Sequence, residues 1–154
     1  KERTKERSRN YYQRTEVKEK IKKHRKTPEA KAKRKIYRNK PEIKEKEKKQ
    51  RDDNRFNILQ VYSKRLSNSE IPCCNCCGEN YHVDFLAIDH IRGSKQMDLE
   101  PELKKLKYSS KFTTWKLQDW IIKNNFPSGF QILCHNCNFA KGMLGRNNKC
   151  PHEK

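Results

Sequence analysis

The sequence predicts a small α+β domain stapled by four cysteines and led by a long basic arm, helical or disordered. Three observations carry this. Of 154 residues, 38 are Lys or Arg against 19 Asp or Glu, a formal charge of +19, and only 32% are hydrophobic. That is apolar material for one small core. The charge is uneven: residues 1–55 hold 24 basic and 10 acidic side chains, whereas residues 56–154 hold 14 and 9. All seven cysteines, at 73, 74, 76, 77, 134, 137 and 150, lie in the second part. Two tight clusters and an odd total argue for metal ligation in a reducing, intracellular compartment rather than for a disulfide framework.

With 37% charged residues and a mean hydropathy of −1.29, a deep-cored enzyme for small metabolites is excluded over the full length. No stretch approaches the roughly 18–20 apolar residues that a membrane span needs. A positive surplus of this size points to a polyanion, with nucleic acid ahead of an anionic membrane surface.

The arm, residues 1–55, carries a degenerate 13-residue repeat. Glu16-Val17-Lys18, Glu29-Ala30-Lys31 and Glu42-Ile43-Lys44 align, with Lys5 in the same phase. Tyr11, His24, Tyr37 and Gln50 fall in a second phase. Thr27-Pro28-Glu29 and Lys40-Pro41-Glu42 suit helix starts, because the first helical residue has no intrahelical use for its N–H. Short helices broken near every thirteenth residue are expected. Pairs such as Glu16/Lys20 and Glu45/Lys49 contribute about 0.2–0.5 kcal/mol each, too little to hold a helix that buries nothing. Such an arm is expected to order along phosphates, with Lys18, Lys31 and Lys44 as contacts and tyrosines as occasional stacking partners.

Residues 56–72 form a linking helix in this reading, with Phe56, Ile58, Leu59, Val61, Tyr62 and Leu66 on a loose apolar face. Phe85 to Ile91 reads as a buried strand ending in a polar pair. Gly93 to Ser110 is irregular, with one helical turn from Pro101 to Leu106. Thr113 or Thr114 caps a helix from Trp115 to Lys123, which Asn124, Asn125 and Pro127 end. Phe130 to Leu133 is a second strand. A last helix starts at Asn138 and is broken by Gly142 or Gly145.

Cys74-Asn75-Cys76-Cys77 and Cys134-His135-Asn136-Cys137 each contain C-x2-C, the spacing that brings two thiolates to one metal at about 2.3 Å. Together they predict a structural, tetrahedral zinc site of Cys74, Cys77, Cys134 and Cys137. Cys73/Cys76 competes in the first cluster; Gly78 favours Cys74/Cys77 by supplying permissive backbone after the second ligand. The segment 78–133 between the knuckles exceeds that of a small ribbon, so something else is built there. Asp89-His90 closes one strand, and Asn138 heads the helix after the last thiolate. A base on a strand and an oxygen ligand on a short helix suit work on one phosphate.

The run "CNCCG…FLAIDHI…GFQILCHNCNFAKG…CPH", from Cys73 to His152, resembles the zinc-stapled HNH, or ββα-metal, endonucleases of the free-standing phage and homing type. The resemblance implies a ββα-metal core over residues 73–154 and metal-dependent nicking or double-strand cutting of DNA. It also implies that His90 is the general base and that Asp89 and Asn138 hold Mg2+ or Mn2+. Relatives often carry Asn at the start of the second strand where Gly129 stands here, with Asn124 and Asn125 as amides that could substitute. Asn138 is a weaker, neutral ligand than the histidine of many relatives. The implied setting is a bacterial or phage-host cytoplasm, or an organelle if a leading segment was removed ahead of Lys1.

Lys141 and Arg146, one to two turns beyond Asn138, are candidate phosphate contacts. His82 and His135 read as a turn residue and a solvated side chain, Trp115 and Trp120 as aromatic anchors of the core. Cys150-Pro151-His152 offers further soft donors. The competing function keeps the fold without catalysis: a zinc protein binding RNA or DNA as a structural subunit of a large nucleic-acid-containing assembly such as a ribosome.

Overall fold

The 13-residue period of the sequence reappears as helix boundaries. In the computed structural model, which describes residues 2–143 and His152, α1 (Glu2–Gln13), α2 (Thr15–Lys26) and α3 (Pro28–Asn39) have 12 residues each. α4 (Pro41–Ser67) starts on the same period. The single residues between them, Arg14, Thr27 and Lys40, are extended, with ψ of 134°, 147° and 133°. Two of these breaks have a plain cause. The rings of Pro28 and Pro41 disfavour helical backbone in the residue before them, and Thr27 Oγ1 accepts from the Ala30 N–H at 3.3 Å as a cap. Nothing local explains the break at Arg14.

Lys5, Lys18, Lys31 and Lys44 are each the fourth residue of a helix. The amides of the last three donate back to the carbonyls of Arg14, Thr27 and Lys40, at 3.0, 3.1 and 3.1 Å. Among the described side chains of residues 5–48 none is buried, and Val17, Ile21, Ala30 and Ile43 are only half-covered.

The chain divides into two compact units, residues 1–48 and 49–154, and the division falls inside α4. In the second unit Arg55 donates to Asp84 Oδ1 at 3.0 Å and to the carbonyls of Val83 and Leu86 at 2.9 and 2.8 Å. Its guanidinium ties α4 to the 3-10 turn Val83–Phe85 and to β1 (Leu86–His90). Next come α5 (Ser94–Met97), α6 (Pro101–Lys105), α7 (Thr114–Lys123), β2 (Phe130–Cys134) and α8 (His135–Met143). β1 and β2 pair antiparallel, with Leu86 opposite Cys134 and His90 opposite Phe130. This is a small, mostly helical α+β unit with one two-stranded sheet.

Every residue of β2 is buried. Ile58, Leu59 and Tyr62 of α4, Leu86 of β1, and Trp120 and Ile121 of α7 share its apolar cluster. Two of the buried aromatic residues find partners for their polar ends: Tyr62 Oη donates to the Pro127 carbonyl at 2.6 Å, and Trp120 Nε1 to that of Leu106 at 2.7 Å, whereas Tyr108 Oη is buried with no hydrogen-bond partner among the described residues.

Several expectations need correction. Phe85 precedes the strand and is half-exposed, as is Trp115. Trp115 lies under the Arg51 guanidinium, 5.1 Å from its ring centre, so only Trp120 anchors the core. Thr113, not Thr114, caps α7. α8 begins at His135, because β2 runs straight into it, and it continues through Gly142. Arg146, Gly145 and Cys150 lie outside the described residues. No helix among the described residues is long and apolar enough to cross a membrane.

Candidate metal centre and the adjoining histidine

The first knuckle is docked by its backbone. The Cys74 N–H donates to the Glu79 carbonyl at 2.8 Å, Gly78 N–H returns to Cys74 at 2.9 Å, and Asn75 N–H reaches the Ile132 carbonyl of β2 at 2.7 Å. Gly78 has φ +76°, a conformation that glycine adopts without strain. The second knuckle straddles the junction of β2 and α8, where the Cys137 N–H points at Cys134 Sγ at 3.4 Å. The two turns bring the sulfurs of Cys74, Cys77, Cys134 and Cys137 within 4.8 Å of one another. Cys77 Sγ and Cys134 Sγ are 3.7 Å apart, close to the edge of about 3.8 Å of a tetrahedron with 2.3 Å bonds. The group can hold a metal ion such as zinc.

Cys73 is not in this group. It is buried, and its N–H and carbonyl are both taken by Ser63 Oγ, at 2.9 and 3.2 Å. Burial, and then hydrogen bonding with the neighbouring Cys134 and Cys77 thiols, push the Cys137 thiol far above its ordinary range.

Asp89 and His90 close β1. The Asp89 carboxylate is buried, and its Oδ2 receives both Gln131 Nε2 at 2.8 Å and the Lys141 ammonium at 2.5 Å. Lys141 also donates to the carbonyls of His90 and Ile91, at 2.8 and 3.1 Å. Expected to face phosphate, Lys141 is instead 4% exposed: its ammonium neutralises Asp89 and ties α8 to the end of β1. Both partners use Oδ2, and Oδ1 has no hydrogen bond among the described residues.

The His90 ring is half-buried, with centres 5.2 Å from Phe130 and 6.0 Å from Tyr108. Burial lowers its pKa below the ordinary 6.5; Lys141 acts in the same direction, and Asp89 and Asp98 oppose it. The ring lines a cavity of about 400 Å3 together with Arg55, Phe112, Gln118 and His135. Asn138 sits half-buried in the first turns of α8. Gly129 has φ +100°, a backbone conformation that side chains rarely adopt, so asparagine there would be strained even though the Met97 methyl, 2.8 Å from a Cβ, is the end of a flexible chain. The loop after the histidine is held instead by main chain: the Ile91 N–H donates to the Gly129 carbonyl at 2.9 Å.

Two polar residues escaped the sequence reading. Asn75 Nδ2 donates to Gln131 Oε1 at 3.1 Å, and Gln131 in turn to Asp89, so hydrogen bonds run from the first knuckle to the carboxylate. A buried Gln inside the apolar run Phe130–Leu133 is the signal that could have found it. His135 is not merely solvated: its Nε2 lies 3.0 Å from the Asp84 carbonyl. Lys18 and Lys31 line one groove of the first unit with Lys22, Arg25, Lys26 and Arg34; Lys44 is not among its lining residues and is exposed. Compared with family models, curated proteins and solved structures, the chain matches none of them.

Proposed function

We propose that the second unit is a metal-dependent endonuclease domain of the zinc-stapled HNH type, hydrolysing phosphodiester bonds of DNA, and that the basic arm holds the nucleic acid. The observation that carries this reading is His90. It ends β1, the strand paired with β2, which runs directly into a helix bearing Asn138; it opens on a cavity also lined by Arg55, and its surroundings favour the neutral imidazole. A neutral imidazole can accept a proton from water at neutral pH. Zn2+ on Cys74, Cys77, Cys134 and Cys137 would staple the edge of the small apolar core.

Asp89 Oδ1 and the Asn138 amide would hold a divalent ion, Mg2+ or Mn2+, which when bound supplies positive charge to the phosphate. The donor set is sparse but suits Mg2+, which keeps waters and binds through one or two carboxylates plus substrate oxygens. Gln131 and Lys141 orient the carboxylate by gripping its other oxygen. Arg55 lines the same cavity as His90, with its guanidinium held by Asp84 and by the carbonyls of Val83 and Leu86.

One observation favours the second reading, a non-catalytic zinc protein that binds RNA or DNA inside a large assembly. The Lys141 ammonium already neutralises Asp89, which weakens its pull on a divalent ion. Plasmid nicking by the zinc-loaded protein in Mg2+ or Mn2+ separates the two. Metal-dependent nicking that His90→Ala removes supports the nuclease; no cutting of duplex or single strands supports the binder.

A further inference from the structure

Cys137 stands at the meeting point of two donor groups. Besides the four-sulfur group, its Sγ, Cys76 Sγ and a ring nitrogen of His152 all lie within 4.8 Å of one another. Cys76 and His152 are not members of the four-sulfur group, and Cys137 is the residue that the two groups share. The Cys137 Sγ to His152 Nδ1 separation is 3.5 Å. A tetrahedral ion with one sulfur at about 2.3 Å and one imidazole nitrogen at about 2.0–2.1 Å requires roughly 3.6 Å between them. The approach thus has the length of a ligand–ligand edge.

We propose that Cys137 bridges two zinc ions: one held by the four thiolates, the other by Cys76, Cys137 and His152. The first ion rests on the zinc reading given above; the second is new. Charge supports it. One Zn2+ on four thiolates leaves −2 in a largely buried site, whereas adding a second Zn2+ with the Cys76 thiolate and a neutral imidazole leaves −1. Residual charge of that kind is costly at low dielectric. Thiolates shared between two zinc ions are established zinc chemistry, as in the Zn2Cys6 modules.

Access is also provided. Cys137 and His152 line an open cavity of about 420 Å3 together with Cys77 and Cys134 of the four-sulfur group, Glu79 and Asn136, so solvent reaches the shared sulfur. Three protein donors leave the second ion one position for water or an oxygen ligand, unlike the closed four-thiolate site. The second ion should therefore exchange faster than the first.

The test is metal stoichiometry of the full chain. Zinc-free protein, kept reduced, is titrated with Co2+, whose absorption reports thiolate ligation, and then with Zn2+ against a chromophoric chelator. Two equivalents are expected for the parent, the second filling after the first and leaving first to the chelator. His152→Ala and Cys76→Ser should each bind one equivalent with unchanged far-UV circular dichroism. Cys77→Ser should weaken the first equivalent. A single equivalent in the parent, untouched by His152→Ala, overturns the bridge and leaves the four-thiolate reading intact. A single equivalent whose spectrum changes in His152→Ala also overturns it, by making His152 a ligand of the same ion. A parent that binds no metal overturns both readings together.

Discussion

Burial against Phe130 and Tyr108 sets the protonation of His90, and the direction can be followed into two measurements. Because its pKa in the fold lies below the ordinary 6.5, the neutral ring contributes stability above about pH 6.5 that is lost as pH falls through the lower value. The same ring as a base should give a cleavage rate that rises with pH, with the midpoint of its acidic limb below 6.5. His90→Ala should lower cleavage by about 10²–10⁴-fold while leaving zinc content and DNA affinity in place; full activity in that variant would remove His90 from the mechanism. Lys141 gives a prediction that does not depend on catalysis. Removing one partner of a buried pair costs about 3–5 kcal/mol, while replacing both by apolar groups is often near neutral. Lys141→Ala should therefore lower the urea midpoint strongly, and Asp89→Leu combined with Lys141→Met should recover most of the loss. A change below about 0.5 kcal/mol for Lys141→Ala would mean that the pair is not formed in solution.

Secondary structure was most legible where chemistry is local. Pro28 and Pro41 announced two helix starts, Thr113 was one of two expected caps, and alternating turn and apolar runs placed both strands within a residue or two. The four sulfurs were legible too, because C-x2-C brings two thiolates together whatever lies between the knuckles. What escaped depended on partners distant in sequence. Nothing near Lys141 says that Asp89, on another element, will claim its ammonium, and nothing near Trp115 says that Arg51 will cover it. Gly129 became intelligible only through its φ of +100° in the folded chain. The knuckle elements also carry a prediction. Cys137→Ser removes a donor from the buried sulfur group and should unfold the second unit with loss of metal. Cys73→Ser, whose main chain is held by Ser63 and whose sulfur stands outside the group, should keep its metal and lose little stability. Elemental analysis beside thermal unfolding checks the pair, and equal metal loss in both would reassign the ligands.

The charge of the whole molecule is concentrated in one unit. Residues 1–48 hold 21 basic and 8 acidic side chains, +13 of the +19, and among their described side chains none is buried. The contacts that hold α4 in the second unit, through Arg51, Arg55, Ile58, Leu59 and Tyr62, all begin after residue 48. Removing residues 1–48, rather than the 1–55 that composition alone suggests, should thus spare the fold and take away most of the positive field. Each phosphate that the arm neutralises adds about −0.9 to the slope of log affinity against log salt on duplex DNA. The truncated protein should bind non-specific duplex more weakly at low salt and with a shallower slope, while its metal content and unfolding midpoint stay close to those of the parent. If the slope were unchanged and only the affinity fell, the arm would be acting without neutralising phosphates. If neither changed, the helices of the first unit would be a spacer, and the six cations lining the groove of α2 and α3 would not be neutralising phosphates.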